Sequence, residues 1–252
     1  MVVQTHTPAR ACDAHEQARE AMRAVAGRNP DFEHAYYGAA AALEYVRREM
    51  PSALPAYLAL GEGNPQARAD LFRYVRIYRD GGVYLDSTVC LARPLTEIVA
   101  LGQRGDVSRA VLAHWGPPGD DPSRRPYCPH ARLKGVPALG EFVIFFLIAP
   151  PRHPLLLRVV ERVVAEVEAQ LRLPAEKRAR GKGGVLRITG PIAFTKEAQR
   201  FIEDGGGGAL AIHDSVERLG IKCHSEWPRV KWATPHRKES GHYSNNKFPV
   251  VV

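Results

Sequence analysis

Residues 64–89, NPQARADLFRYVRIYRDGGVYLDSTV, change hydrophobic period within one stretch, and that change limits what the chain can fold into. Over 66–79 the apolar residues Ala69, Phe72, Val75, Ile77 and Tyr78 fill one stripe with arginines on its flanks, the pattern of an amphipathic helix. Asp80-Gly81-Gly82 breaks the helix, because paired glycines let the backbone turn sharply. Val83-Tyr84-Leu85 then reads as a short strand, with Asp86-Ser87-Thr88 at its carboxyl end. A helix delivered directly into a strand is a building unit of α/β proteins. In open α/β sheets, ligands bind just outside the carboxyl ends of strands, so Asp86 emerges where a site belongs.

The rest of the chain repeats this alternation. Strands are expected at 2–5, 32–37, 107–114, 142–149 and 209–213. Helices are expected at 11–26 (stopped by Gly27), 39–50, 51–60, 94–101 and 153–171, and from Thr189-Gly190-Pro191 through 203. Residues 116–137 read as a long surface loop, 173–184 as a basic flexible loop, and 205–208 as a flexible tetraglycine. The expectation is an α/β fold with an at least partly parallel sheet, no clear domain boundary, and a basic segment from about 214 to 252.

Composition narrows the function classes. With 45% hydrophobic and 25% charged residues, the chain is neither disordered, collagen-like nor a disulfide scaffold. Four scattered cysteines without a CxxC pair suit a reducing compartment. The longest apolar run, 142–151, is about half of what a bilayer crossing needs, and the start lacks a signal-peptide core. A soluble, cytoplasmic protein is therefore expected. The net charge of +8 calls for an anionic partner: a phosphorylated small molecule, an anionic membrane surface or nucleic acid. Trp227, Trp232, Tyr243 and Phe248 among basic residues keep a nucleic-acid-binding protein as an alternative, which motif order then ranks last.

Two constellations carry chemistry. Asp70 and Arg73 are three apart and share a helix face, offering an acceptor and a bidentate donor. That pair suits vicinal hydroxyls, or a hydroxyl and a phosphate; the spacing fits a surface ion pair equally. Asp86 could hold a hard divalent cation together with substrate phosphates, or cap the loop that follows.

Taken together, ARAD-x-x-RY-x-x-x-Y-x-x-GG-x-YLD-x-x-V resembles the sugar-binding region of DXD-containing GT-A glycosyltransferases, similar to the Golgi initiating α-mannosyltransferase family and bacterial capsular-polysaccharide synthesis proteins. VVQTH near the start, NPDFE followed by Tyr36-Tyr37, APPRHPLL and ITGPIAFT resemble flanking segments of that family, in the same order over about 1–200. The resemblance implies a GT-A (Rossmann-like) fold, one domain over 1–252 with a mixed central sheet flanked by helices, and retaining transfer of a sugar from a UDP- or GDP-sugar to a glycan or glycoconjugate acceptor, as in polysaccharide biosynthesis. It implies donor-sugar contacts for Asp70, Arg73 and Tyr74, nucleotide contacts for Val3, Gln4, Thr5 and Asp86, and an acceptor or phosphate side at Thr189 and Gly190. Asp86 would contact ribose and a Mn²⁺ or Mg²⁺ ion. Thr88 stands where the family carries its second Asp, and a hydroxyl is a poorer ligand for such ions. His242 is the candidate replacement, and Glu141 the candidate flanking carboxylate for catalysis. The same departure leaves open a degenerate enzyme that binds a sugar nucleotide without transferring it. The basic balance is expected to meet the donor diphosphate first and an anionic membrane next, with no nucleic-acid partner.

Overall fold

Glycines 81 and 82 set the entry to the sheet. Their φ angles are 65° and 99°. A Cβ on Gly81 would lie 2.5 Å from the Pro151 nitrogen, and one on Gly82 would lie 2.5 Å from the Met1 carbonyl oxygen. Only residues without side chains allow the helix to turn into the strand there. The computed structural model describes residues 1–5, 22–87, 89–115, 137, 140–223 and 247–252.

The central sheet has six strands: β1 (Val2–Thr5), β2 (His34–Tyr37), β3 (Gly82–Asp86), β5 (Ala110–Ala113), β6 (Phe146–Ala149) and β7 (Leu210–His213), in the order β2-β1-β3-β6-β5-β7. β1 runs parallel to β2 and β3, and β5 runs parallel to β7; β6 is antiparallel to both of its neighbours. The five other strands therefore point their carboxyl ends to one edge. A second, two-stranded sheet pairs β4 (Val89–Leu91) with β8 (Ile221–Cys223).

Strand alternation splits the core into two layers. Tyr84, Ala110, Leu112, Leu147 and Ala149 join one cluster with residues of α1 (Ala39–Glu49), α2 (Leu54–Ala59), α3 (Pro65–Asp80), α5 (Pro154–Leu171), α6 (Gly181–Ile188) and α7 (Pro191–Glu203). Val83, Leu85, Val111, Phe146 and Ile148 join the other with α4 (Leu95–Gln103) and the small sheet. Asp86 follows Tyr84 by two residues, so it shares the α3 side.

Several expectations need correction. The expected strand at 142–149 pairs regularly only from Phe146. All eight residues are buried, but 142–145 bend away, and that bend presents the Ile144 carbonyl to Arg73. The strand expected at 107–114 is confined to Ala110–Ala113. The helix expected to stop at Gly27 runs over 22–28; most of the 11–26 reading falls outside the described residues, as does 116–136. The basic loop at 173–184 becomes helix from Gly181, because Val250 and Ala179 press on Gly184 and the Gly181 N–H donates to the Phe248 carbonyl. The tetraglycine forms a 3-10 turn, Gly206–Ala209, seated on the Phe201 ring. Within the basic segment, Val250 and Val251 are fully buried. Their stretch, 247–252, threads between Leu60 and Arg180 by backbone bridging. No helix among the described residues is long and apolar enough to cross a membrane.

Candidate functional site

Helix α3 lies across the sheet with its Asn64 end at the carboxyl edge, and places Asp70 and Arg73 over the end of β3. Arg73 Nη2 pairs with Asp70 Oδ1 at 3.0 Å, and Nη1 pairs with Asp86 Oδ1 at 3.0 Å. Nη1 also donates to the Ile144 carbonyl at 2.7 Å, and Nε reaches the Ala69 carbonyl at 3.4 Å. The guanidinium lies 4.6 Å from the Tyr84 ring centre. Tyr84 donates its hydroxyl to the same Asp86 oxygen at 2.8 Å. Arg73 thus links two carboxylates and locks the direction of the outer one. The side chains of Asp70 and Arg73 are 7% and 6% exposed, whereas Asp86 keeps 34%. The network has an inner end and an open end, and the open end is at the strand terminus.

A second layer supports the inner end. The Thr189 hydroxyl donates to Asp70 Oδ2 at 2.9 Å, and the Tyr74 hydroxyl donates to the Thr189 carbonyl at 2.8 Å. Tyr74 stacks on Phe194 of α7 with ring centres 5.6 Å apart. Burial pushes the Asp70 carboxyl up to about 6, against the pull of Arg73 and the Thr189 hydrogen bond. Burial also raises the Tyr74 hydroxyl well above its ordinary value, so it stays a neutral donor. With Asp70 ionised, two carboxylates face one guanidinium, and the net charge of the site is negative.

The structure brings together Asp70, Arg73, Tyr74, Asp86 and Thr189. Thr5 pairs in register with Asp86, and Val3 with Tyr84. Val3 is fully buried in the core, within a strand paired on both sides. Thr189 is fully buried under Asp70, beneath the site rather than on a rim open to an acceptor. Gly190 is likewise a packing position: a Cβ there would lie 2.8 Å from Leu186 Cα. Glu141 is buried at the same carboxyl edge beside β5, where the 142–145 bend separates it from Asp86. Next to it, burial lowers the pKa of His114, whose ring lies 4.2 Å from that of Phe142. Tyr84 was not anticipated; the two-residue strand period that places it beside Asp86 was available in YLD.

A divalent ion would need more than these groups. Asp86 shares one oxygen with a guanidinium and a phenol, and no cluster of three metal-binding side chains occurs among the described residues. Thr88 and His242 lie outside the described residues. The described groups alone do not make a cation site.

Residues 15–104 match the family model of the glycosyltransferase sugar-binding region containing a DXD motif. Among solved structures, the chain is similar to the PaToxG glycosyltransferase at 13% identity and a TM-score of 0.49, over 81% of this chain and 68% of that one. It is similar to the UDP-bound glycosyltransferase domain from the YGT toxin at 12% identity and a TM-score of 0.41, over 77% of this chain and 55% of that one. None of the curated proteins matches it.

Proposed function

We propose, from the premise that the chain is a glycosyltransferase with a DXD-type sugar-binding region, that it transfers a sugar from a UDP- or GDP-sugar to a hydroxyl of a glycan or glycoconjugate, with retention at the anomeric carbon. Residues 1–252 act as one catalytic unit in this reading. The observation that carries it is the Asp70–Arg73–Asp86 chain at the carboxyl edge of β3, with its inner members buried and Asp86 partly open.

Asp86 takes a ribose or sugar hydroxyl of the donor, held in direction by Arg73 and Tyr84. Four of the five Arg73 N–H donors are already engaged, so Arg73 serves mainly to position Asp86 and Asp70. The bond from the anomeric carbon to the diphosphate breaks, the acceptor oxygen bonds to the same face, and its proton passes to the departing diphosphate oxygen. Positive charge develops on the sugar as this happens. A preorganised, net-negative floor under the sugar favours that charge. Glu141 is the flanking carboxylate at the far side of the bend. The departing diphosphate needs positive charge from elsewhere, which basic side chains would supply.

The test is release of nucleoside diphosphate from a panel of UDP-glucose, UDP-N-acetylglucosamine and GDP-mannose, with Mn²⁺, with Mg²⁺ and with EDTA. Saturable release from one donor, lost in Asp86→Ala, supports transfer. Saturable binding without release from any donor would assign a binding protein instead, and full activity in Asp86→Ala would remove Asp86 from the site.

A further inference from the structure

Five of the eight large hydrophobic side chains exposed among the described residues gather around the buried 247–252 strap: Leu58, Leu171, Leu173, Phe248 and Val252. Contacts with the strap link them from both sides. Phe248 seats on Gly63, and Val252 on Gly61, just past Leu58. On the other side, the Val250 N–H donates to the Ala179 carbonyl, and the Ala179 N–H donates to Gln170, the neighbour of Leu171. Arg178 ties back to the Leu171 and Leu173 carbonyls.

Cations surround these side chains. Lys177, Arg180, Lys182 and Lys247 are exposed and form no ion pair with another described residue. Arg68 also borders the face; its only carboxylate among the described residues is Glu62, 3.7 Å away and 90% exposed. The apolar side chains stand on the ends of separate elements, with the cations spread among them. That pattern suits a lipid interface, which accepts scattered apolar tips a few ångströms deep while cations meet the headgroups.

We propose that this face docks on an anionic membrane surface. The strap touches the start of the sugar-binding helix, where the Asn64 side chain donates to the Pro249 carbonyl at 2.6 Å. Asp70 follows six residues later, about 9 Å along the helix. Docking therefore brings the sugar-binding end of the molecule to the bilayer, facing acceptors displayed there. The docking claim goes beyond the transfer reading and rests on none of it, because vesicle binding is measured without donor.

The test is co-sedimentation of the full chain with vesicles of phosphatidylcholine, alone or mixed with phosphatidylserine, at low and high salt. The chain is expected to bind the mixed vesicles only, and to be released by salt. Lys177→Gln and Lys182→Gln should each weaken binding about fivefold. Leu173→Ser with Phe248→Ser should weaken it roughly tenfold or more while donor binding in solution stays unchanged. Because Phe248 packs on Gly63, Leu173→Ser alone, on the exposed turn after α5, checks the result without a packed contact to lose. Equal binding to neutral vesicles, no binding, or binding indifferent to these substitutions overturns the proposal. Concentration-dependent self-association that Phe248→Ser abolishes, without vesicle binding, would assign the face to a second copy of the chain.

Discussion

Helix α3 buries two arginines one turn apart, and they serve different networks. Arg73 is 5% exposed and Arg76 is 3% exposed. Arg73 joins Asp70 to Asp86 at the end of β3. Arg76 pairs with Asp80 and lies between the Tyr37 and Tyr45 rings, 5.6 and 5.1 Å from their centres. Tyr45 donates to the same Asp80, and burial with that hydrogen bond raises its pKa. Burial of a guanidinium is common to both. What differs is the balance: Arg76 meets one acid and aromatic faces, whereas Arg73 meets two acids, one of them buried with its carboxyl pushed up to about 6. The second acid at Arg73 is Asp86, a third exposed at the strand end, and that open carboxylate is why the proposed ligand site is placed at Arg73 and not at Arg76.

Removing each arginine should widen this difference most. Arg73→Met leaves Asp70 buried without its cationic partner and should cost about 3–5 kcal/mol, with loss of transfer. Arg76→Met leaves Asp80, whose side chain is 39% exposed and can hydrate, and should cost about 1–2 kcal/mol. Denaturant unfolding of the two variants compares them directly; a costlier Arg76→Met would reverse the ranking.

The acids come next. Asp86→Asn should lower transfer about 10²–10³-fold while changing stability by less than about 1 kcal/mol, since its side chain is a third exposed. Asp80→Asn should leave transfer within about twofold. Steady-state rates for both variants decide whether the two networks are functionally distinct.

Asp70 ties stability to pH. Its folded carboxyl keeps its proton up to about 6, while the unfolded one releases it near 3.8. Between those values the folded state binds more protons, so stability falls as pH rises from about 4 to about 6, by a few kcal/mol at most. Asp70→Asn should flatten that slope and weaken donor binding. An unchanged slope in melts across this range would mean that Asp70 is not the group responsible.

The smallest effects are expected in the supporting hydroxyls. Thr189→Val removes a hydrogen bond from Asp70 and should cost about 1 kcal/mol, raise the Asp70 pKa further and weaken donor binding. Tyr45→Phe should cost a similar amount with donor binding intact. Donor titrations of the pair read the difference.

The parts written in local periodicity were readable from residues alone. Helix α3, the Gly81-Gly82 turn, β3 and the position of Asp86 at its end all follow from a change of period within one segment. The burial of Asp70 and Arg73 was not readable, because an i,i+3 pair looks the same on a surface; α7 and the 142–145 bend, distant in sequence, cover it. The β4–β8 pairing and the strap at 247–252 depend on partners far away in sequence and have no local signature. The same holds for α6, where a glycine-rich segment becomes helical because the strap closes over Gly184. Tyr84 is the exception, a site residue that the strand period could have found.

The central claim is that the open end of the Arg73 network receives a nucleoside diphosphate sugar. Calorimetric titration of the donor panel into the parent chain, Asp86→Ala and Asp80→Ala tests it most directly. The account predicts saturable binding of one donor to the parent and to Asp80→Ala, and none to Asp86→Ala. Equal affinity in Asp86→Ala and the parent would contradict it.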